Sequence, residues 1–204
     1  MKIKTIMMAL GLLALLGLAC LHGYAASPPD TAGAAPPKNI DVVHEVERPV
    51  VPAPEPEFHP DERIPLEADL QEFVTDVCEA YGIRPSLIYG MIRQESDFRA
   101  DLVCDKGRSV GLMQIQRRWH EGRMDKVGAT DLYDPYDNVA VGIDLIVELL
   151  RGYNGDEVRA LTAYNRGVVG ANRYFAKGNT TSAYAEKVLK YAREYEKEDS
   201  DDGK

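Results

Sequence analysis

One glutamate stands where an apolar side chain would be expected. The pattern of residues 85–96 predicts a helix, and on it Leu87, Met91 and Glu95 recur four residues apart along a buried stripe. Burial disfavours a charged carboxylate, and so does the C-terminal end of the helix dipole. Both effects raise the pKa of Glu95 and favour the protonated state that a general acid needs. The competing interpretation is a solvent-facing Glu95 paired with Arg99 four residues on.

Two later segments are rich in amide and hydroxyl groups. The first reads Arg-Ser-Val-Gly-Leu-Met-Gln over residues 108–114, and the second reads Ala-Tyr-Asn-Arg-Gly over residues 163–167. Such groups orient a ligand by hydrogen bonds, while neighbouring apolar faces pack against it. A single acid opposite these segments suits sugar chemistry.

The three blocks, in this order, resemble the catalytic domain of the soluble lytic transglycosylase family, lysozyme-like enzymes that cut bacterial peptidoglycan. The resemblance covers about residues 66–195. It implies an all-α, lysozyme-like domain with a short extended or hairpin segment at the cleft. It also implies that Glu95 is the single catalytic acid/base, that peptidoglycan glycan strands are the substrate, and that no cofactor is needed.

By the same resemblance, residues 111–114 and 163–165 wall opposite sides of the sugar cleft, and a late tyrosine reaches back towards the acid. The expected substrate-binding residues are Ser109, Met113, Gln114, Tyr164, Asn165 and Tyr184. Met113 and Tyr164 would supply apolar faces. The family often has a serine where this chain has Cys104, so either Ser109 takes over that hydroxyl role or Cys104 replaces it as a poorer donor. Trp119 is either a sugar platform or a core residue.

The expected reaction needs one carboxylic acid, although most glycosidases use two. The second-carboxylate candidates Asp97, Asp101 and Asp105 lie in a polar loop without evident fixation. We expect the substrate's 2-acetamido group to assist cleavage of the β-1,4 bond between N-acetylmuramic acid and N-acetylglucosamine, giving 1,6-anhydromuramic ends. Three alternatives stay open: a hydrolysing muramidase, a catalytically silent glycan-binding protein, and a structural lipoprotein of the envelope.

Charge and histidine spacing limit the other partners. The formal net charge is −9, which gives no electrostatic footprint for nucleic acid, and the four histidines show no metal-binding spacing. We therefore expect no nucleic-acid partner and no metal. We expect a monomer that contacts the membrane only through its N-terminal segment.

The N-terminus predicts export. Residues 1–25 combine two lysines with an apolar run, as in a signal peptide or N-terminal membrane anchor. A small-residue site at residues 23–25 would release the protein, whereas residues 17–20 resemble a lipoprotein box that would lipidate Cys20. Both outcomes place the protein outside the cytoplasm, either secreted or anchored to the outer face of the membrane.

Composition divides the rest of the chain. Residues 26–65 hold ten of the twelve prolines and predict an extended linker. Residues 66–197 form the predicted transglycosylase-like domain, followed by an acidic disordered tail at 198–204. The predicted helices span 67–81, 85–96, 117–126, 137–152, 156–165, 168–176 and 182–197. Residues 111–116 are too short for a helix and predict an extended or hairpin-like piece. Asp137 or Asn138 is the predicted cap of the helix that begins at 137.

Two cysteines remain once Cys20 is set aside. Cys78 and Cys104 form an even pair in an exported chain, which permits one disulfide. The alternative is a buried helix thiol and an unrelated loop thiol.

Overall fold

The computed structural model describes residues 57–196, and six α-helices account for most of this range. They are α1 (Ala68–Tyr81), α2 (Pro85–Ser96), α3 (Arg117–Val127), α4 (Pro135–Gly152), α5 (Glu157–Phe175) and α6 (Ala183–Glu194). The predicted all-α class is confirmed. None of these helices is long and apolar enough to span a bilayer. The predicted signal or anchor segment, Cys20, most of the linker and the acidic tail lie outside the described residues.

Helix α2 lies at the centre of the core. Its Leu87, Ile88, Met91 and Ile92 are at most 1% exposed, and burying each such side chain contributes about 1.5–3 kcal/mol. At Gly90, α2 approaches α6 so closely that a Cβ would lie 2.7 Å from the carbonyl oxygen of Val188. The helix that carries Glu95 is therefore held rigidly.

The folded unit begins before residue 66, the predicted boundary. Ile64 is buried in the core, and Gln71 of α1 clamps the segment that contains it. The Gln71 Nε2 donates to the carbonyl of Ile64 at 3.1 Å, and its Oε1 accepts from the amide of Asp61 at 2.8 Å. Arg63 also donates to the carbonyl of Glu194 at 2.8 Å, at the end of α6. The high proline content of the region concealed this anchor.

A buried carboxylate fixes α3 against α4. Asp144 of α4 binds Arg123 and Lys126 of α3, the latter at 2.6 Å, and accepts from the hydroxyl of Tyr81 at 3.3 Å. Removing one partner of a buried ion pair leaves an uncompensated charge, so separating α3 from α4 at this contact is unfavourable. It sets the position of α3, whose first turns reach the cleft described below.

Helix α4 begins two residues earlier than predicted, and a different residue caps it. Asp134 is the N-cap, because its side chain accepts hydrogen bonds from two backbone amides of the first turn. Asp137 instead accepts from backbone amides of the preceding loop, at 2.7 and 2.9 Å. Asn138 is buried and faces inward. The prediction that Asp137 or Asn138 caps this helix is therefore wrong.

The two helices predicted over 156–165 and 168–176 form one kinked element, α5. The break is at Gly167, which has φ 71° and ψ 157°, a conformation that favours glycine. Because the chain turns here, Val168 and Val169 remain 49% and 71% exposed.

A small hairpin lies in the predicted polar loop. Strands β1 (Val103–Cys104) and β2 (Ser109–Val110) pair antiparallel, with Cys104 opposite Ser109. The extended or hairpin-like piece predicted over 111–116 lies further along the chain than the observed strands. Residues 111–114 instead form a tight turn, after which Ile115 pairs back on Val110.

The two described cysteines are not bridged. Cys78 is fully buried in the core on α1, whereas Cys104 is exposed on β1. The disulfide that the sequence permitted is absent because one thiol points into the core and the other lies at the surface.

Candidate active site

Glu95 lies on the lining of a cleft of about 760 Å³, one residue before the end of α2. Its carboxylate accepts a hydrogen bond from the hydroxyl of Tyr184 at 2.5 Å. Arg99 does not take the pairing that the sequence left open, since its guanidinium donates to the carbonyl of Ser96 at 3.1 Å. The acid therefore faces the cleft and not a surface cation.

Two tyrosines connect the acid to the cleft walls. Tyr184 comes from α6 and stacks on Tyr164 of α5, with ring centroids 6.5 Å apart and planes 12° apart. The hydroxyl of Tyr164 donates to the carbonyl of Met113 at 2.8 Å. Segments from three parts of the chain thus meet around Glu95.

Burial dominates the electrostatics of the acid. Desolvation raises the pKa of Glu95 above its ordinary value, and the hydrogen bond from Tyr184 lowers it in part. Burial, followed by the nearby charge of Glu95, holds the pKa values of Tyr164 and Tyr184 well above their usual range. Both phenols therefore stay protonated and act as hydrogen-bond donors.

Asn138 holds the first cleft wall in place. Its Nδ2 donates to the carbonyls of Val110 and Leu132 at 2.8 and 2.9 Å, and its Oδ1 accepts from the amide of Met113 at 2.9 Å. Gly111, with φ 77°, makes room for this amide, because a Cβ there would lie 2.3 Å from the Asn138 Nδ2. The backbone of the wall is thus tied to α4.

Met113 packs beneath this wall. Its side chain is fully buried, and a Cβ on Gly142 would lie 2.2 Å from its sulfur. Met113 was predicted to offer an apolar face to a sugar. The structure instead puts its side chain in the core, where a flexible thioether fills the space above Gly142.

The first wall presents hydrogen-bond acceptors to the cleft. Gln114 donates both amide hydrogens to backbone carbonyls, at 3.0 and 3.1 Å, which leaves its Oε1 as the group for a ligand. Ser109 donates to Asp105 at 2.7 Å and accepts from Gln116 at 2.9 Å. Its hydroxyl proton is therefore already used, and a ligand can reach only a lone pair.

The opposite wall is formed around the kink of α5. Tyr164, Asn165 and Arg166 lie before the break at Gly167, and Val168 follows it. On a third side, Trp119 of α3 is 69% exposed at the cleft. This exposure excludes the core role that the sequence left open for Trp119.

The cleft brings together five of the predicted site residues: Glu95, Ser109, Gln114, Tyr164 and Asn165. Tyr184 is outside the cavity lining but contacts the acid, and Met113 is buried. Lining residues that were not assigned to the site include Gln116, His120, Leu145, Leu149, Arg166 and Val168. Arg166 could have been found from its place in the Ala-Tyr-Asn-Arg-Gly block. The leucines of α4 carry no such signal, since they resemble ordinary core positions.

Among the second-carboxylate candidates, Asp105 lines the same cavity as Glu95, while Asp97 and Asp101 do not. Within residues 57–196, no group of three histidine, cysteine, aspartate or glutamate side chains is arranged to hold a metal ion.

Comparison with known proteins identifies similar chains. The family described as Transglycosylase SLT domain matches residues 74–187. A protein named transglycosylase from Enterobacteria phage PRD1 is 34% identical over 110 residues, which cover 54% of this chain and 38% of that protein. The X-ray structure of an inactive mutant of the lytic transglycosylase Slt from Pseudomonas aeruginosa aligns with a TM-score of 0.55 and 23% identity. That alignment covers 64% of this chain and 24% of the other.

Fold and site together define a helical domain with one half-buried acid in an open cleft of mixed polar and apolar lining. The chain belongs to the transglycosylase SLT domain family. The resemblance noted in the sequence is therefore confirmed, and the similarity to the Pseudomonas aeruginosa structure confirms the predicted lysozyme-like fold. The chain spans 38% of the length of the phage protein and 24% of the Pseudomonas aeruginosa chain.

Proposed function

We propose that this protein is a lytic transglycosylase that cleaves peptidoglycan outside the cytoplasm, with Glu95 as its single acid/base. The observation that carries the proposal is the position of Glu95. It is half-buried, its pKa is raised by burial, and it lies in a cleft between two walls of hydrogen-bonding groups. Membership of the transglycosylase SLT domain family supports the same activity. We infer that the scissile bond is the β-1,4 bond between N-acetylmuramic acid and N-acetylglucosamine.

In the first step, protonated Glu95 gives its proton to the glycosidic oxygen. The bond from that oxygen to C1 of the muramic acid breaks, and the carbonyl oxygen of the 2-acetamido group bonds to C1. The substrate thus supplies the nucleophile that a second carboxylate supplies in most glycosidases. A raised pKa suits this step because it keeps Glu95 protonated to higher pH.

In the second step, Glu95 as carboxylate takes the proton from the 6-hydroxyl of the same sugar. The 6-oxygen bonds to C1, and the bond from C1 to the acetamido oxygen breaks. The product carries a 1,6-anhydro ring, no water is consumed, and Glu95 is protonated again. The attacking hydroxyl belongs to the substrate itself, so proximity supplies much of the rate.

The polarity of the first wall indicates which substrate groups it holds. Ser109 and Gln114 offer acceptor atoms, so we assign them to the N–H and O–H groups of the sugars. Asn165 and the ring of Trp119 face the cleft from other sides and would bind ring hydroxyls and an apolar sugar face. Stacking on Trp119 is consistent with its exposure.

Tyr184→Phe should move the alkaline limb of the kcat/KM profile to higher pH. The Tyr184 hydroxyl stabilises the charged form of Glu95, so its removal raises the pKa of Glu95 further. The acid then stays protonated to higher pH, and activity falls off later. Activity is measured against pH on soluble glycan strands. Tyr191→Phe, on the same helix but outside the site, should leave the limb in place, and an unmoved limb in Tyr184→Phe would contradict this role.

The products of digestion test the proposed function. Full-length protein is incubated with purified peptidoglycan, and the released fragments are identified by mass spectrometry. We expect anhydro-muropeptides, each one water lighter than the corresponding hydrolytic product. Fragments with reducing ends would point to a hydrolase. A protein that binds glycan strands but releases no fragments would point to a silent binding module.

A hydrolysing muramidase is the second candidate, and the position of Asp105 is the observation in its favour. Asp105 lines the cleft that contains Glu95, and its carboxylate could assist an attacking water. However, the same carboxylate already accepts hydrogen bonds from Ser109 and Gln116. Asp105→Asn separates the two functions, because a hydrolase would lose its reducing-end products. A transglycosylase would still release anhydro products.

A further inference from the structure

Among the residues that the structure describes, one basic side chain with permanent charge lines the cleft. Of the residues that line it, Glu95 and Asp105 can carry negative charge, and Arg166 is the lysine or arginine among them. The chain as a whole has a net charge of −9. An anionic ligand group that enters this cleft therefore meets favourable charge at Arg166 and repulsion elsewhere.

The guanidinium of Arg166 is held in place but retains its hydrogen-bonding capacity. It lies over the ring of Tyr174, with the central carbon 4.5 Å from the ring centroid. Within residues 57–196 it forms no ion pair with a carboxylate. Stacking leaves the N–H groups in the guanidinium plane available, and these match the two oxygens of a carboxylate.

The kink of α5 explains why this side chain faces the cleft. Arg166 lies immediately before Gly167, whose φ of 71° breaks the regular helix. Asn165 and Val168, on either side of this pair, line the cavity as well. The break thus presents consecutive side chains to one ligand, which a straight helix would distribute around its circumference.

We propose that Arg166 binds a carboxylate on the muramoyl substituent of the glycan strand. This subsite rests on the proposed function, and it adds selectivity for charged strands over neutral N-acetylglucosamine polymers. Two sources carry the same chemistry. A strand with stem peptides bears peptide carboxylates, whereas a strand stripped of peptides bears the free lactyl carboxylate.

Binding measurements on full-length protein test the subsite. Glu95→Gln serves as the parent so that ligands are not consumed, and Arg166→Ala and Arg173→Ala are added to it separately. Arg173 is a matched control, since it is an exposed arginine on the same helix that does not line the cleft. The ligands are peptide-bearing strands, amidase-stripped strands and neutral chitin oligosaccharides of equal length.

We expect Arg166→Ala to weaken binding of a carboxylate-bearing ligand by about 10-fold or more. Binding of chitin oligosaccharides should stay within about twofold, and Arg173→Ala should behave like the parent on all three ligands. A loss confined to peptide-bearing strands would assign the carboxylate to the stem peptide. A loss confined to stripped strands would assign it to the lactyl group.

Two results would overturn the subsite alone: unchanged binding of all three ligands, or an equal loss on chitin oligosaccharides. The second would make Arg166 a general sugar contact. Failure of the proposed function is visible separately, in the wild-type digest, which would then release no anhydro-muropeptides. A parent that binds none of the three ligands would overturn the subsite as well. Arg166→Gln, which keeps a long polar side chain, should reproduce the loss seen with Arg166→Ala.

Discussion

Glu95→Gln should lower kcat on peptidoglycan by about 10²- to 10⁴-fold, the range that a positioned general acid contributes. The amide keeps the shape of the side chain and can still contact Tyr184, but it can neither give nor take the proton. Both proposed steps require that transfer. The release of soluble fragments over time gives the rate. Asp97→Asn is the matched control, since it removes a carboxylate two residues away that does not line the cleft.

Loss of activity in Glu95→Gln should not reflect unfolding. The folded-state pKa of Glu95 is raised above its ordinary value, so its proton binds more tightly in the folded state. The resulting stabilisation is complete below the unfolded pKa and is lost as pH rises through the folded pKa. At neutral pH the glutamine should therefore leave the free energy of unfolding unchanged or higher. A variant that retains near-normal kcat would remove Glu95 from the mechanism.

Asn138→Ala should lower the free energy of unfolding by about 3 kcal/mol or more. Three buried backbone groups lose their partner, and each unsatisfied group costs about 1–3 kcal/mol. Activity should fall as well, because the amide of Met113 and the carbonyl of Val110 are no longer fixed to α4. Urea denaturation measures the first effect, and fragment release under folding conditions measures the second.

The matched control for this prediction is Asn172→Ala on α5. Asn172 accepts one exposed hydrogen bond from Tyr153 at 2.9 Å, and surface contacts of this kind are worth within about 0.5 kcal/mol. If Asn138→Ala were as stable as Asn172→Ala, the hydrogen bonds of Asn138 would not be what fixes the first cleft wall to α4.

Local patterns predicted the parts of the site that depend on one element. The burial of a carboxylate on α2 follows from helical periodicity, so the position of Glu95 was predictable. The residues of the two walls were recognisable as blocks in the order expected for the family. The position of the kink in α5 was also indicated, because Gly167 lies in the gap between the two predicted helices.

Contacts between distant segments were not predictable in this way. Asn138 was predicted to be a possible cap because it lies near the start of a helix. Its hydrogen-bond partners instead lie at Val110, Met113 and Leu132. Met113 was expected in the cleft because its own segment gives no sign of its true position. Its side chain fills a space in the core that exists because Gly142, on another element, has no side chain. Both errors concern side chains whose role is set by another part of the chain.

The exposure of Trp119 and Arg166 depends on tertiary structure in the same sense. A sole tryptophan is more often buried, and only the position of α3 against α4 leaves this one at the cleft. Arg166 belongs to a block that was recognised in the sequence. Its position on the lining of the cleft, however, follows from the bend that precedes Val168.

The contact between Arg63 and the carbonyl of Glu194 brings the beginning and the end of the folded unit to one place. A unit whose two ends are adjacent can be inserted into a loop of a larger protein without pushing the two halves of that protein apart, because the two insertion points stay close together. Its cleft residues all lie between these ends in sequence, so insertion need not interrupt them. Adjacent ends of this kind suit a domain that is carried as one unit within a longer chain.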